Sequence, residues 1–134
     1  MTKVLVVDDE PAVREFLDIF LSEEGYDVLL AENGWEGLKL YCREQPDVIL
    51  LDLGMPGLDG AAVLKHIHTV DPNQLVIVFT GDSNPETKQL VYALGANEFI
   101  EKGDSLHLLT KVLQRHLKPS TLASVIPIHP PSHC

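Results

Sequence analysis

Residues 48–60 read Val48-Ile49-Leu50-Leu51-Asp52-Leu53-Gly54-Met55-Pro56-Gly57-Leu58-Asp59-Gly60. Four apolar residues in a row end on a carboxylate, and a loop of Gly and Pro follows. A strand with one wet face alternates apolar and polar residues. An unbroken run is the pattern of a strand covered by helices on both faces, as in a parallel sheet. Val4–Val7 and Leu75–Phe79 have the same character, and weaker strand-like runs lie at Val28–Ala31 and Glu98–Ile100.

The segments between these runs carry helical spacing. Val13, Phe16, Leu17, Phe20 and Leu21 share one apolar face, and Leu90, Val91 and Leu94 share another. A last helix over about Leu106–Leu117 turns Leu106, Leu109, Leu113 and Leu117 inward. Pro11 and Pro85 suit first turns, where no amide hydrogen is needed. Asn33 with Glu36 resembles a capping box, and Gly25 and Gly95 suit the left-handed position after a helix. Trp35 and Tyr41 are expected to pack on or near the second helix. Regular β–α alternation over Lys3–Lys118 predicts a five-stranded, doubly wound α/β domain across residues 1–118. Pro119 stops the last helix, and residues 119–134, rich in Pro and Ser, read as a tail or the start of a linker.

Composition narrows the function. Ten basic against twenty acidic residues give a formal net charge of -10, and no Lys/Arg cluster offsets it, which argues against direct nucleic-acid binding. No apolar run approaches the roughly 20 residues that span a bilayer, and no signal-peptide pattern opens the chain. The expected location is the cytoplasm, with no membrane partner. Two cysteines, Cys42 and Cys134, indicate no disulfide framework, and Cys42 reads as a small apolar packing residue.

In open α/β sheets ligands bind beyond the carboxyl ends of the strands, where strand order reverses. Asp8, Asp9 and Glu10 follow the first run, Asp52 the third, Thr80 and Gly81 the fourth, and Glu101 and Lys102 the fifth. Carboxylates converging on one edge repel one another and call for a cation. With oxygen ligands only, that cation is magnesium rather than zinc. A carboxylate can also be a phosphoryl-accepting nucleophile, and a metal, a lysine and a hydroxyl suffice to stabilise phosphoryl transfer.

These residues, Asp8-Asp9, Asp52 through Gly60, Thr80-Gly81 and Phe99-Ile100-Glu101-Lys102, resemble the receiver domain of two-component response regulators. The resemblance implies a flavodoxin-like fold with strand order 2-1-3-4-5. It implies that Asp52 takes phosphate from a phosphohistidine on a sensor histidine kinase or phosphotransfer protein. Asp9, Asp52 and the backbone carbonyl of Gly54 would ligate Mg2+, with Asp8 acting through water. Lys102 and Thr80 would contact the phosphoryl oxygens, and Phe99 would change rotamer, altering the face of the fourth and fifth helices and last strand. A downstream output domain or protein, and a homodimer, are further implied partners. Such a domain is a signalling switch and no enzyme, beyond assisting its own phosphorylation and slow dephosphorylation.

The sequence departs from the family at Lys102-Gly103, where receivers usually carry Lys-Pro, often with a cis bond. A cis bond before a non-proline residue costs about 2.5–4 kcal/mol, so the geometry of that loop is open. Three other functions compete. A haloacid dehalogenase-type phosphatase places two Asp residues one apart after the first strand, whereas Asp8 and Asp9 are adjacent. A flavin carrier needs a hydroxyl- and Gly-rich phosphate loop where Asp8-Asp9-Glu10 stands. A pseudo-receiver, binding without phosphorylation, draws its support from Lys102-Gly103.

Overall fold

The computed structural model describes residues 2–104 and 106–117. Five parallel strands, β1 (Lys3–Val7), β2 (Asp27–Ala31), β3 (Val48–Leu51), β4 (Leu75–Thr80) and β5 (Glu98–Glu101), stand in the order β2-β1-β3-β4-β5. Helices α1 (Pro11–Glu23), α2 (Gly34–Glu44), α3 (Gly60–Val70), α4 (Pro85–Ala93) and α5 (Leu106–His116) connect and follow them. Every expected strand is present, and β4 and β5 each run one residue further, through Thr80 and Glu101. The tail expected over residues 119–134 lies outside the described residues.

The unbroken apolar runs follow from this layering. Successive strand side chains point to opposite faces, and here both faces are covered. Leu5, Val7, Ile49, Leu51, Val76 and Val78 pack with Tyr41 of α2, Leu64 and Ile67 of α3, and Val91 of α4. Val4, Val6, Val48, Leu50, Ile77 and Phe79 pack with Leu17 and Leu21 of α1 and Leu109 and Leu113 of α5. Each fully buried Leu or Ile contributes roughly 1.5–3 kcal/mol, so Ile49→Ala should cost about 2–5 kcal/mol.

Local signals hold with three corrections. Pro11 and Pro85 occupy first turns, and Gly25 and Gly95 take positive φ of 95° and 111°. At Gly95 a side chain would also collide with the His68 ring. The Asn33 side chain accepts from the Glu36 amide at 2.9 Å, but Glu36 reaches one residue past Asn33 and accepts from the Glu32 amide at 3.1 Å. Phe16 and Leu90, expected inward, are about half exposed at 49% and 51%. The sheet covers a narrower stripe of each helix than their apolar residues span, and Phe16 stacks on Phe20 at its rim, centroids 6.2 Å apart. Trp35 is likewise exposed, whereas Tyr41 is buried. Cys42 is half-buried against the α2–α4 layer.

Parallel registry brings the strand ends level: Val7 lies opposite both Ala31 and Leu51, Leu51 opposite Val78, and Thr80 opposite Glu101. The residues after those ends therefore share one edge. No described helix is long and apolar enough to cross a membrane.

Candidate functional site

One further backbone bond extends each ladder into this edge. The Asp8 amide donates to Ala31 O at 3.1 Å, the Asp52 amide to Val7 O at 2.9 Å, and the Lys102 amide to Thr80 O at 2.8 Å. These bonds keep the site residues in strand geometry, so the pleat fixes which way each side chain points. The sheet's switch point, with β1 and β3 adjacent, sets Asp8 beside Asp52.

Among the described residues the buried polar side chains are Asp8, Asp52 and Thr80, at 2%, 5% and 1% exposure. Their concentration in one place marks the site, because an unpaired buried charge is strongly unfavourable. Lys102 provides the compensation. Its Nζ lies 2.9 Å from Asp8 Oδ2, 2.7 Å from Glu10 Oε1 and 3.4 Å from Asp52 Oδ2. Burial pushes the Asp8 carboxyl above its usual range, and the charge of Asp52 adds to this, against the opposing hydrogen bonds of the Glu10 amide and Lys102. For Lys102, burial disfavours the charged form. Hydrogen bonds to Glu10 and Asp8 and the field of Asp52 outweigh it, so the ammonium titrates above its ordinary value.

Carboxylate oxygens of Asp8, Glu10 and Asp52 lie within 4.8 Å of one another. Three hard oxygen donors and one ammonium leave an excess of negative charge, a donor set that fits a small divalent cation. Asp9, expected as a direct ligand, is half-buried beside this group and outside it. Gly54 sits two residues beyond Asp52, and its amide donates to Asp52 Oδ1 at a long 3.4 Å.

Thr80 closes β4, and its hydroxyl accepts from the Asp82 amide at 3.3 Å. Phe99 is half-buried against the α2–α4 layer, with Lys88 Nζ 5.8 Å from its ring centroid. The Lys102-Gly103 loop needs no proline. There is no cis peptide bond among the described residues. The chain turns instead by an Asp104 amide bond to Glu101 O at 2.9 Å, with Asp104 Oδ2 accepting from the Glu101 amide at 3.1 Å.

Five residues have structural roles at this site that the sequence did not assign them. Glu10, which follows the acidic pair, reaches Lys102, and Asp104 ties the loop after β5. Arg14 Nη1 donates to Asp8 O at 2.8 Å, holding the backbone of that turn. Gly60 opens α3 where any Cβ would collide with the Asp52 carbonyl. Asp59 caps the same helix by accepting from the Ala62 amide at 2.8 Å. An Asp-Gly pair at a helix start is a visible signal for the cap, but the backbone contact that requires glycine is tertiary.

A buried acidic pocket, bridged by a lysine at the switch point of a 2-1-3-4-5 sheet, is the layout of a two-component signalling domain. The comparisons with known proteins agree, and residues 4–114 match the response regulator receiver domain. The chain belongs to the response regulator receiver domain family, whose members are signalling switches rather than enzymes in the ordinary sense. It is 32% identical to sporulation initiation phosphotransferase F of Bacillus subtilis over 115 residues, covering 86% of this chain and 93% of that relative. It is 38% identical over 114 residues to the CAI-1 autoinducer sensor kinase/phosphatase CqsS of Vibrio cholerae, covering 82% of this chain but only 17% of that protein. Among solved structures, the response regulator TrrA of Thermotoga maritima in complex with Mg(2+)-BeF superposes with a TM-score of 0.80 at 34% identity, covering 87% and 99% of the two chains. Receiver domains act with histidine kinases or phosphotransfer proteins and bind Mg2+ at an acidic cluster.

Proposed function

We propose that this domain is a phosphoryl-accepting switch in a two-component phosphorelay, with Asp52 as acceptor. A carboxylate oxygen of Asp52 attacks the phosphorus of a partner's phosphohistidine. The new O–P bond forms as the N–P bond breaks, and imidazole leaves with the bonding pair. The observation that carries this reading is the Lys102 ammonium held between Asp8 and Asp52 in a pocket of buried carboxylates.

Asp9, Asp52 and the Gly54 carbonyl would hold Mg2+, with the Asp9 side chain turning in from beside the Asp8, Glu10 and Asp52 group and Asp8 acting through water, and the ion would neutralise charge on the phosphoryl oxygens. Lys102 pairs with one of those oxygens. Thr80 leaves the Asp82 amide to hydrogen-bond another, and the space it vacates lets Phe99 turn inward. That movement alters the face formed by α4, β5 and α5, where an output domain, a downstream protein or a second copy would read it. The domain boundary is taken at residue 118, and the setting as cytoplasmic.

Phosphotransfer from a labelled phosphohistidine protein tests the proposal. Label should reach the wild-type domain in magnesium and fail to reach it in EDTA or in Asp52→Asn. Transfer that persists in Asp52→Asn would overturn the assignment. A domain that binds its partner without accepting label would be the phosphorylation-independent module instead.

A further inference from the structure

We infer that Glu10 is a positioning residue that holds Lys102 in reserve, so that the lysine is released to the phosphoryl group against a competing carboxylate. The inference rests on the phosphoacceptor reading of Asp52. Glu10 is the N-cap residue of α1, with extended backbone at φ -85° and ψ 113°. Ser, Thr, Asp or Asn in that position accepts from the first amides of its helix; the longer Glu10 side chain makes no such bond. It reaches across to β5 instead, and its Oε1 is the nearest carboxylate oxygen to Lys102 Nζ, at 2.7 Å against 2.9 Å for Asp8 and 3.4 Å for Asp52.

The arrangement gives Lys102 two alternative partners. Asp8 is buried and lies 2.9 Å from the lysine. Glu10 is more than half exposed on its side chain, so its pull on Lys102 is partly screened and can be given up at small cost. A phosphoryl group arriving on Asp52 must draw the ammonium away from Glu10, and the lost contact subtracts from the affinity for phosphoryl. Glu10 also adds a negative charge where a negatively charged donor approaches. Both effects have the same sign, so removing the charge of Glu10 favours the phosphoryl-bound state once magnesium is saturating.

The test is titration of the domain with beryllofluoride, a phosphoryl mimic, at saturating magnesium, in wild type, Glu10→Gln and Glu15→Gln. Glu15→Gln removes one negative charge from α1 away from the cluster. The expected result is an apparent Kd about threefold lower in Glu10→Gln and unchanged in Glu15→Gln. A second readout needs neither metal nor mimic: in EDTA, acylation of Lys102 by an amine-reactive ester, followed by peptide mass, should be faster in Glu10→Gln while Lys39 and Lys88 react as before. Equal Kd values in wild type and Glu10→Gln, or an equal drop in Glu15→Gln, would overturn the positioning role and leave Asp52 untouched. An unchanged Lys102 acylation rate would do the same. A wild-type domain that binds no beryllofluoride in magnesium would overturn the phosphoacceptor reading, and this inference with it.

Discussion

Replacing Lys102 by Met keeps the aliphatic stem and removes the cation that, among the described residues, pairs with both buried carboxylates. At an effective dielectric of 20, unit charges 2.9 Å and 3.4 Å apart attract by about 6 and about 5 kcal/mol. Most of this is spent on desolvating three ions, so the gross figures are not the loss to expect. Breaking a buried pair by removing one partner costs about 3–5 kcal/mol. Lys102 keeps 17% of its side chain exposed, and Asp8, already displaced upward, can take up a proton to relieve part of the strain. A loss of about 2–4 kcal/mol is the result. The sign with pH is fixed by the raised value of Lys102: its contribution is fully present below the ordinary lysine value and fades only as pH rises through the folded one. Urea unfolding at pH 7 in EDTA therefore reads all of it, as a midpoint lowered by roughly 1–2 M for an m-value of about 2 kcal/mol/M. Magnesium should narrow the gap, because binding to the folded cluster stabilises by mass action. A midpoint in EDTA equal to or above that of wild type would show that Lys102 does not compensate the buried charges.

Three further outcomes follow from the same geometry. Gly60→Ala drives a Cβ into the Asp52 carbonyl and should lower stability by about 1–3 kcal/mol, measured by urea unfolding. Asp8→Asn should melt at a higher temperature than wild type in EDTA at neutral pH. A carboxyl whose folded value lies above 3.8 holds its proton more tightly in the native state, so ionising it costs stability as pH rises through that range. Lowering the pH to about 4 should shrink the difference. Asn97→Ala removes the side-chain oxygen that accepts from the Val76 amide at 2.9 Å, and should cost about 1 kcal/mol by the same unfolding assay.

What the sequence disclosed divides along physical lines. Strands buried on both faces must be apolar throughout, so Val4–Val7, Val48–Leu51 and Leu75–Phe79 were legible without any partner in view. The convergence of Asp8, Asp52, Thr80 and Lys102 was legible too, because parallel topology forces residues after the strands onto one edge. Phe16 and Leu90 were misplaced because helical periodicity reports which residues are apolar, not how wide a stripe the sheet covers. Glu10 and Asp104 were hidden for other reasons. Glu10 makes its contact across the sheet edge to Lys102 after β5, a tertiary pairing, and the Asp104 turn is ordinary for Asp but carries no motif that singles it out. Gly60 depends on a backbone approach between α3 and the end of β3, which no single-residue propensity encodes.

The most direct measurement is intact mass after incubation with magnesium and a small phosphodonor, followed by peptide mapping. The expected result is one phosphoryl adduct, located on Asp52, absent in EDTA and absent in Asp52→Ala. No adduct from either a small donor or the partner kinase, or an adduct that survives in Asp52→Ala, would contradict the assignment of Asp52 as the phosphoryl acceptor.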